Sequence, residues 1–137
     1  MSKTIRSHHW EKTVILLFLS CWLSCAPAPP DGAHEITIGV MPTLIGIDFF
    51  NEGESGAFEA AEEVGGTVKY DGPPTNDVAE QAQMVETWIH RGYDAIAIAP
   101  NDPDRIAPAL KKAQEKGITV LTFDADAVPE SREIFVN

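Results

Sequence analysis

The sequence predicts an α/β domain: a Rossmann-like parallel sheet with helices on both faces. Two observations carry this. From residue 36 to the end, short apolar runs alternate with stretches of helical periodicity. The run Ala95-Ile-Ala-Ile-Ala99 has no polar alternation, so both of its faces are expected to be covered. Strands joined through helices run parallel, and their crossovers are right-handed.

Each element has its own signal. Ile36-Thr-Ile-Gly-Val-Met41, closed by Pro42, predicts the first strand. Residues 51–64 predict a helix with Phe58, Ala61 and Val64 on one face, stopped by Gly65-Gly66. Phe49 and Phe50 then fall in the preceding loop. Residues 67–70 predict a second strand. Asn76 or Asp77 caps the next helix, whose apolar positions Val78, Ala82, Val85 and Ile89 lead to Gly92. Residues 95–99 form the third strand. Asp102 is an N-cap with Pro103 at the first helical position, and that helix ends at Lys116-Gly117. Residues 118–123 form the fourth strand and residues 133–136 a short fifth. The fifth is followed only by Asn137, with no helix to return over the sheet, which reads as a truncated lobe.

Residues 1–25 read as a signal peptide. Lys3, Arg6 and Lys12 precede an apolar run from Val14 to Leu23, too short to span a hydrocarbon core of about 30 Å. Ser24-Cys25-Ala26 and a Pro-rich stretch follow. This resembles the lipobox of a bacterial lipoprotein, in which Cys25 is lipidated; Cys21 lies deeper in the apolar run. Residues 26–35 (APAPPDGAHE) are expected to be a flexible linker.

Composition narrows the function. The 137 residues suit one folded domain, and 44% apolar with 23% charged residues excludes a disordered tail. The formal net charge is −11. Removing residues 1–25 takes away Lys3, Arg6, Lys12 and Glu11 and moves it to −13. Nucleic acid and anionic lipid surfaces are thereby disfavoured as partners, because both need a basic face. Membrane contact is expected through the lipid anchor alone. No His or Cys cluster has metal-ligand spacing, and Ser55, His90 and Asp94 form no catalytic pattern, so neither cofactor nor catalysis is expected.

In open α/β sheets, ligands bind at the carboxyl ends of the strands. Two segments there carry chemistry. Phe49-Phe50 offers aromatic faces that stack on the C–H face of a sugar ring; alternatively, a ring plugs the core, and one of each is expected. Asp124-Ala125-Asp126 follows a buried strand. A carboxylate there accepts hydroxyl hydrogen bonds from a polyol; alternatively, it is a turn or cap residue.

The segments Gly46-Ile-Asp-Phe-Phe50, Gln83-Met-Val-Glu-Thr-Trp-Ile89, Gly92-Tyr-Asp-Ala-Ile-Ala97, Pro108-Ala-Leu-Lys-Lys-Ala113, Gly117-Ile-Thr-Val-Leu-Thr-Phe-Asp-Ala-Asp126 and Phe135-Val-Asn137 carry a family likeness. Through them, residues 36–137 resemble the N-terminal lobe of type 1 periplasmic sugar-binding proteins, within the rhamnose- and autoinducer-2-binding branch. The resemblance implies two hinged lobes that close on a monosaccharide or similar polyol outside the cytoplasmic membrane. It implies a monomer that delivers this ligand to an ABC transporter permease. It places Phe49 and Phe50 against the ligand, Asp124 on its hydroxyls, and Asp126 and Thr43 nearby. The autoinducer-2 branch has a lysine where Thr43 stands, which points here to a neutral sugar. In ribose-type members an arginine follows the cleft aspartate; here it is Ala125.

Three other readings stand beside this one. A sensory protein feeding a chemoreceptor or kinase would use the same lobe. A repressor would open with a helix-turn-helix instead of a secretion signal. A dinucleotide enzyme would find its ribose acid in Asp71 and its glycines in Gly53 and Gly56. However, Asn51 stands where the first fingerprint glycine belongs.

The leader generates one prediction. A Cys25→Ala variant is expected to lose metabolic lipid labelling and to be released in soluble form. Equal labelling of the variant would move the anchor to Cys21.

Overall fold

The computed structural model describes residues 34–137, so the segment read as a signal peptide, with Cys21 and Cys25, and residues 26–33 of the expected linker lie outside the described residues. The elements run β1 (Thr37–Met41), α1 (Asp48–Val64), β2 (Thr67–Tyr70), α2 (Val78–Arg91), β3 (Ala95–Ile98), α3 (Pro103–Glu115), β4 (Thr119–Phe123), a 3-10 turn (Pro129–Ser131) and β5 (Ile134–Val136). The strands form one sheet in the order β2-β1-β3-β4-β5, with every neighbouring pair parallel.

This order fixes where the helices lie. The chain steps from β1 to β2 in one direction, then from β2 to β3 and on to β4 in the other. Right-handed crossovers therefore put α1 on one face and α2 with α3 on the other. The main core fills the α2–α3 face. Met41, Ile96, Ile98 and Val120 from the strands meet Val78, Val85 and Trp88 of α2 and Ile106 and Leu110 of α3, all buried. Trp88 stacks on Tyr93, with ring centroids 5.4 Å apart.

Capping follows the sequence closely in α2 and α3. The Asp77 carboxylate accepts from the Ala79 and Glu80 amides, and that of Asp102 accepts from the Asp104 and Arg105 amides. The chain leaves α2 through Gly92 at φ 72°, a left-handed conformation that glycine adopts without steric cost.

Three expectations are corrected. α1 begins at Asp48, not Asn51, so Phe49 and Phe50 sit in its first turn and not in a loop. The face of α1 is thinner than its periodicity suggests: Phe50 and Ala61 are buried, whereas Phe58 and Val64 are exposed. The buried stripe of α2 is Val78, Gln81, Val85 and Trp88. It is rotated from the expected one, because the flat indole packs closer to the sheet than Ile89 does. Residues 34 and 35 also make contacts with the domain. The His34 ring nitrogen lies 2.5 Å from the Asp94 carboxylate, which also accepts the Thr37 amide at 2.7 Å, and Glu35 accepts from the Thr67 hydroxyl. The Thr37 amide first, and then His34, hold the Asp94 carboxyl below the usual carboxylate range.

Gly39 sits in β1 directly beneath Trp88. A Cβ there would lie 2.4 Å from the indole Cε3. Gly39→Ala is therefore expected to destabilise the domain by about 1–3 kcal/mol, since the packed ring has nowhere to go. Urea denaturation checks this; an unchanged midpoint would mean that the indole moves freely.

Candidate functional site

The carboxyl ends of the strands gather the polar chemistry. The strand order reverses between β1 and β3, and their ends splay apart at this switch point. Pro42 and Pro100 follow these two strands and remove the amides that would continue the ladder. Fully buried Gln81 fills the gap. Its side-chain NH2 donates to the Ala99 carbonyl at 2.9 Å and to the Pro42 carbonyl at 3.3 Å, and its carbonyl accepts the Asn101 amide at 2.9 Å. The Asn101 side chain then donates to the Thr43 carbonyl at 2.9 Å. Sequence reading missed Gln81. The available signal was its position, three residues after Val78 and four before Val85, on the apolar face of its helix.

The first turn of α1 supplies the aromatic pair. Phe50 is 5% exposed and Phe49 68%, so the first ring enters the core and the second stays accessible. Their centroids lie 5.1 Å apart at 71°, edge to face. The Tyr70 hydroxyl donates to the Phe50 carbonyl at 2.9 Å and holds the turn against β2. Burial, with a contribution from Glu54, pushes the Tyr70 phenol above its ordinary value, so it remains a donor at neutral pH.

Across from this turn, β4 ends in Phe123 and Asp124. A groove of about 560 Å³ opens between them, lined by Phe49, Phe50, Glu52, Phe123, Asp124 and Val136. Asp124 has φ 60°, the only positive value among described residues other than glycine. Its carboxylate is exposed and accepts no hydrogen bond among the described residues, so it caps no helix. The structure thus brings together three of the residues singled out from sequence: Phe49, Phe50 and Asp124.

The other two lie elsewhere. Thr43 is half-buried beside Asn101 and does not line the groove. Asp126 turns away from it. One oxygen accepts from Arg132 Nε (2.9 Å), the Thr122 hydroxyl (2.7 Å) and the Ala127 amide (2.9 Å), and the other from Arg132 Nη2 (2.8 Å). The Arg132 hydrogen bonds lead the forces that hold its carboxyl down at about 2, so it is ionised at any physiological pH. A hollow of about 550 Å³ at the opposite end of the sheet, beside His90, Asp94, Lys112 and Lys116, contains none of the singled-out site residues.

The dinucleotide reading finds no support in the geometry. Gly53 and Gly56 lie inside α1 and not in a phosphate-binding turn, and Asp71 accepts the amide of its own neighbour Gly72 at 2.9 Å. Among the described residues there is no acidic, His or Cys group able to hold a metal ion.

Comparison with known proteins gives a consistent picture. The chain is 31% identical over 123 residues to the ribose import binding protein of Bacillus subtilis, covering 82% of this chain and 40% of that one. Among solved structures, an ABC transporter solute binding protein from Clostridium phytofermentas with bound L-rhamnose superposes with a TM-score of 0.72 at 31% identity, covering 77% of this chain and 33% of that one. LsrB from Clostridium saccharobutylicum in complex with AI-2 gives 0.71, also at 31% identity, covering 73% and 31%. The chain spans about two fifths of the length of that Bacillus subtilis protein and of a D-ribose/D-allose-binding protein from Pseudomonas aeruginosa. Residues 38–137 match the periplasmic binding protein domain, and the chain belongs to that family.

Proposed function

We propose that this chain is the N-terminal lobe of a sugar-binding protein that serves an ABC-type importer. It acts by binding and release, without catalysis, and takes a monosaccharide or similar small polyol. One observation carries the reading: in a chain of this family, an exposed phenyl ring and an unpartnered carboxylate face one groove at the carboxyl ends of the strands. A ring face covers the C–H side of a sugar, and a carboxylate accepts from two of its hydroxyls. The ligand closes between this wall and a second lobe, as the lengths of the relatives suggest.

Finer features complete the proposal. The motifs quoted above and the likeness to the rhamnose- and AI-2-bound structures favour that branch of the family. Thr43, in place of a lysine, favours a neutral sugar over autoinducer-2. The leader and Cys25 favour a protein held by a lipid anchor outside the cytoplasmic membrane, monomeric, and handing its sugar to a permease.

Calorimetry on the two-lobed protein with rhamnose, ribose, arabinose and allose tests this. Asp124→Ala is expected to weaken the best sugar roughly ten- to a hundredfold, because a hydrogen bond to a charged group is worth about 1.5–3 kcal/mol. Unchanged affinity would return Asp124 to the role of a turn residue. The two rings are expected to separate in the same assay. Phe49→Ala weakens binding with the melting temperature kept, whereas Phe50→Ala costs about 3–5 kcal/mol of stability as a core truncation.

A further inference from the structure

We propose that the Asp126–Arg132 ion pair is a positioning device for the ligand-binding carboxylate, locking residues 122–132 so that Asp124 keeps its left-handed backbone and presents its side chain to the groove. This rests on the reading that Asp124 binds the ligand.

The geometry runs through Asp124 from both sides. A residue with a Cβ enters the left-handed region at an energetic cost and stays there only when its surroundings hold it. Two residues before it, Thr122 is fully buried in the core, paired in register with Ile98 on one side and Phe135 on the other. Two residues after it, Asp126 accepts the Thr122 hydroxyl at 2.7 Å. Asp124 is thus the middle of a five-residue span whose ends are tied together. Thr122 and the Ala127 amide alone would leave Asp126 free to swing. Arg132 prevents this with two parallel N–H···O bonds, a fork that fixes the carboxylate plane as well as its place.

Arg132 is itself held. Its guanidinium carbon lies 5.8 Å from the centre of the Phe135 ring, and Ser131 beside it is fully buried. β5 then closes the loop, because the Asp124 amide donates to the Val136 carbonyl at 3.2 Å. The pair therefore links the groove's acceptor to both of the strands that flank it. A lysine in place of Arg132 would keep the charge and lose the fork.

The test combines amide exchange with a double-mutant cycle. Arg132→Gln is expected to speed hydrogen exchange at Asp124 and Ala125 about tenfold, while the Leu110 and Ile96 amides keep their protection. In the two-lobed protein it is expected to weaken the best sugar about five- to tenfold, with Arg132→Lys intermediate. In an Asp124→Ala background the same substitution is expected to cost no further affinity. Unchanged exchange at Asp124 and Ala125 would overturn the proposal. So would an equal affinity loss in both backgrounds, since a merely structural pair acts regardless of Asp124. If Asp124→Ala itself leaves affinity intact, the ligand reading fails, and with it the positioning of a ligand-binding group. The exchange rates would then report only how the loop is held.

Discussion

Gln81 reaches from the buried face of α2 to the ends of β1 and β3 and replaces the ladder that two prolines interrupt. A buried carbonyl without a partner costs about 1–3 kcal/mol, and at this point two carbonyls and one amide converge. An apolar residue at this position would leave all three unpaired. The amide is suited to the place because it both donates and accepts, whereas a carboxylate could only accept. With the two strand ends held at a fixed spread, Asn101 can tie down Thr43, and the loop after β1 is launched toward α1 along one path. The spread of the strand ends at the switch point is thus held by one side chain that is not itself part of the groove's lining.

The two faces of the sheet divide the work. The α2–α3 face contains nearly all of the large buried side chains and supplies rigidity. The other face is covered by α1 alone among the described residues, and Phe49, Phe123 and Val136 remain accessible there. These residues share a face for a simple reason: side chains alternate along a strand, so when Val120 and Thr122 point into the core, Leu121 and Phe123 point to α1. The groove is largely apolar because it is the continuation of a sheet face, and the Asp124 carboxylate stands at the end of a strand beside it.

Legibility varied with the locality of the signal. Asp102, Pro103 and Gly92 act within one helical turn of themselves, and their roles were plain from the sequence; the cap of α2 was narrowed to Asn76 or Asp77, and Asp77 fills it. The start of α1 was not, because its N-cap position is Ile47, which offers no side-chain acceptor to mark the boundary. Once the helix is seen to begin at Asp48, the split between Phe49 and Phe50 follows from its geometry. Adjacent residues are about 100° apart around a helix, so one ring turns to the sheet and the other away. Asp124 and Asp126 looked like a pair because they are two apart beyond a strand. The left-handed turn at Asp124 leaves the first facing the groove and the second paired with Arg132, which lies six residues beyond Asp126 and was invisible to any short-range pattern. Gln81 was hidden by its type, since a polar residue on a helix is read as solvent-facing by default.

The three helix N-termini at this end of the sheet differ in a way that bears on the proposed ligand. Parallel βα units bring every helix start to the carboxyl ends of the strands, where the first amides lack intrahelical partners. In α2 and α3, Asp77 and Asp102 accept from those amides, and the donors are consumed. In α1 no side chain caps the start, and this is the helix whose first turn borders the groove. The Phe50 and Asn51 amides pair with the Ile47 carbonyl at 3.1 Å, so the rim presents the Phe49 ring on one side and the Asp124 acceptor on the other. A hydroxyl group donates to a carboxylate, so a ring of hydroxyls with an apolar C–H face complements the acceptor and the phenyl ring. A sugar phosphate or sugar acid would bring its charge against Glu52 and Asp124, in a lobe that already carries a large negative excess. A neutral polyol, the ligand class proposed above, would meet no such charge penalty.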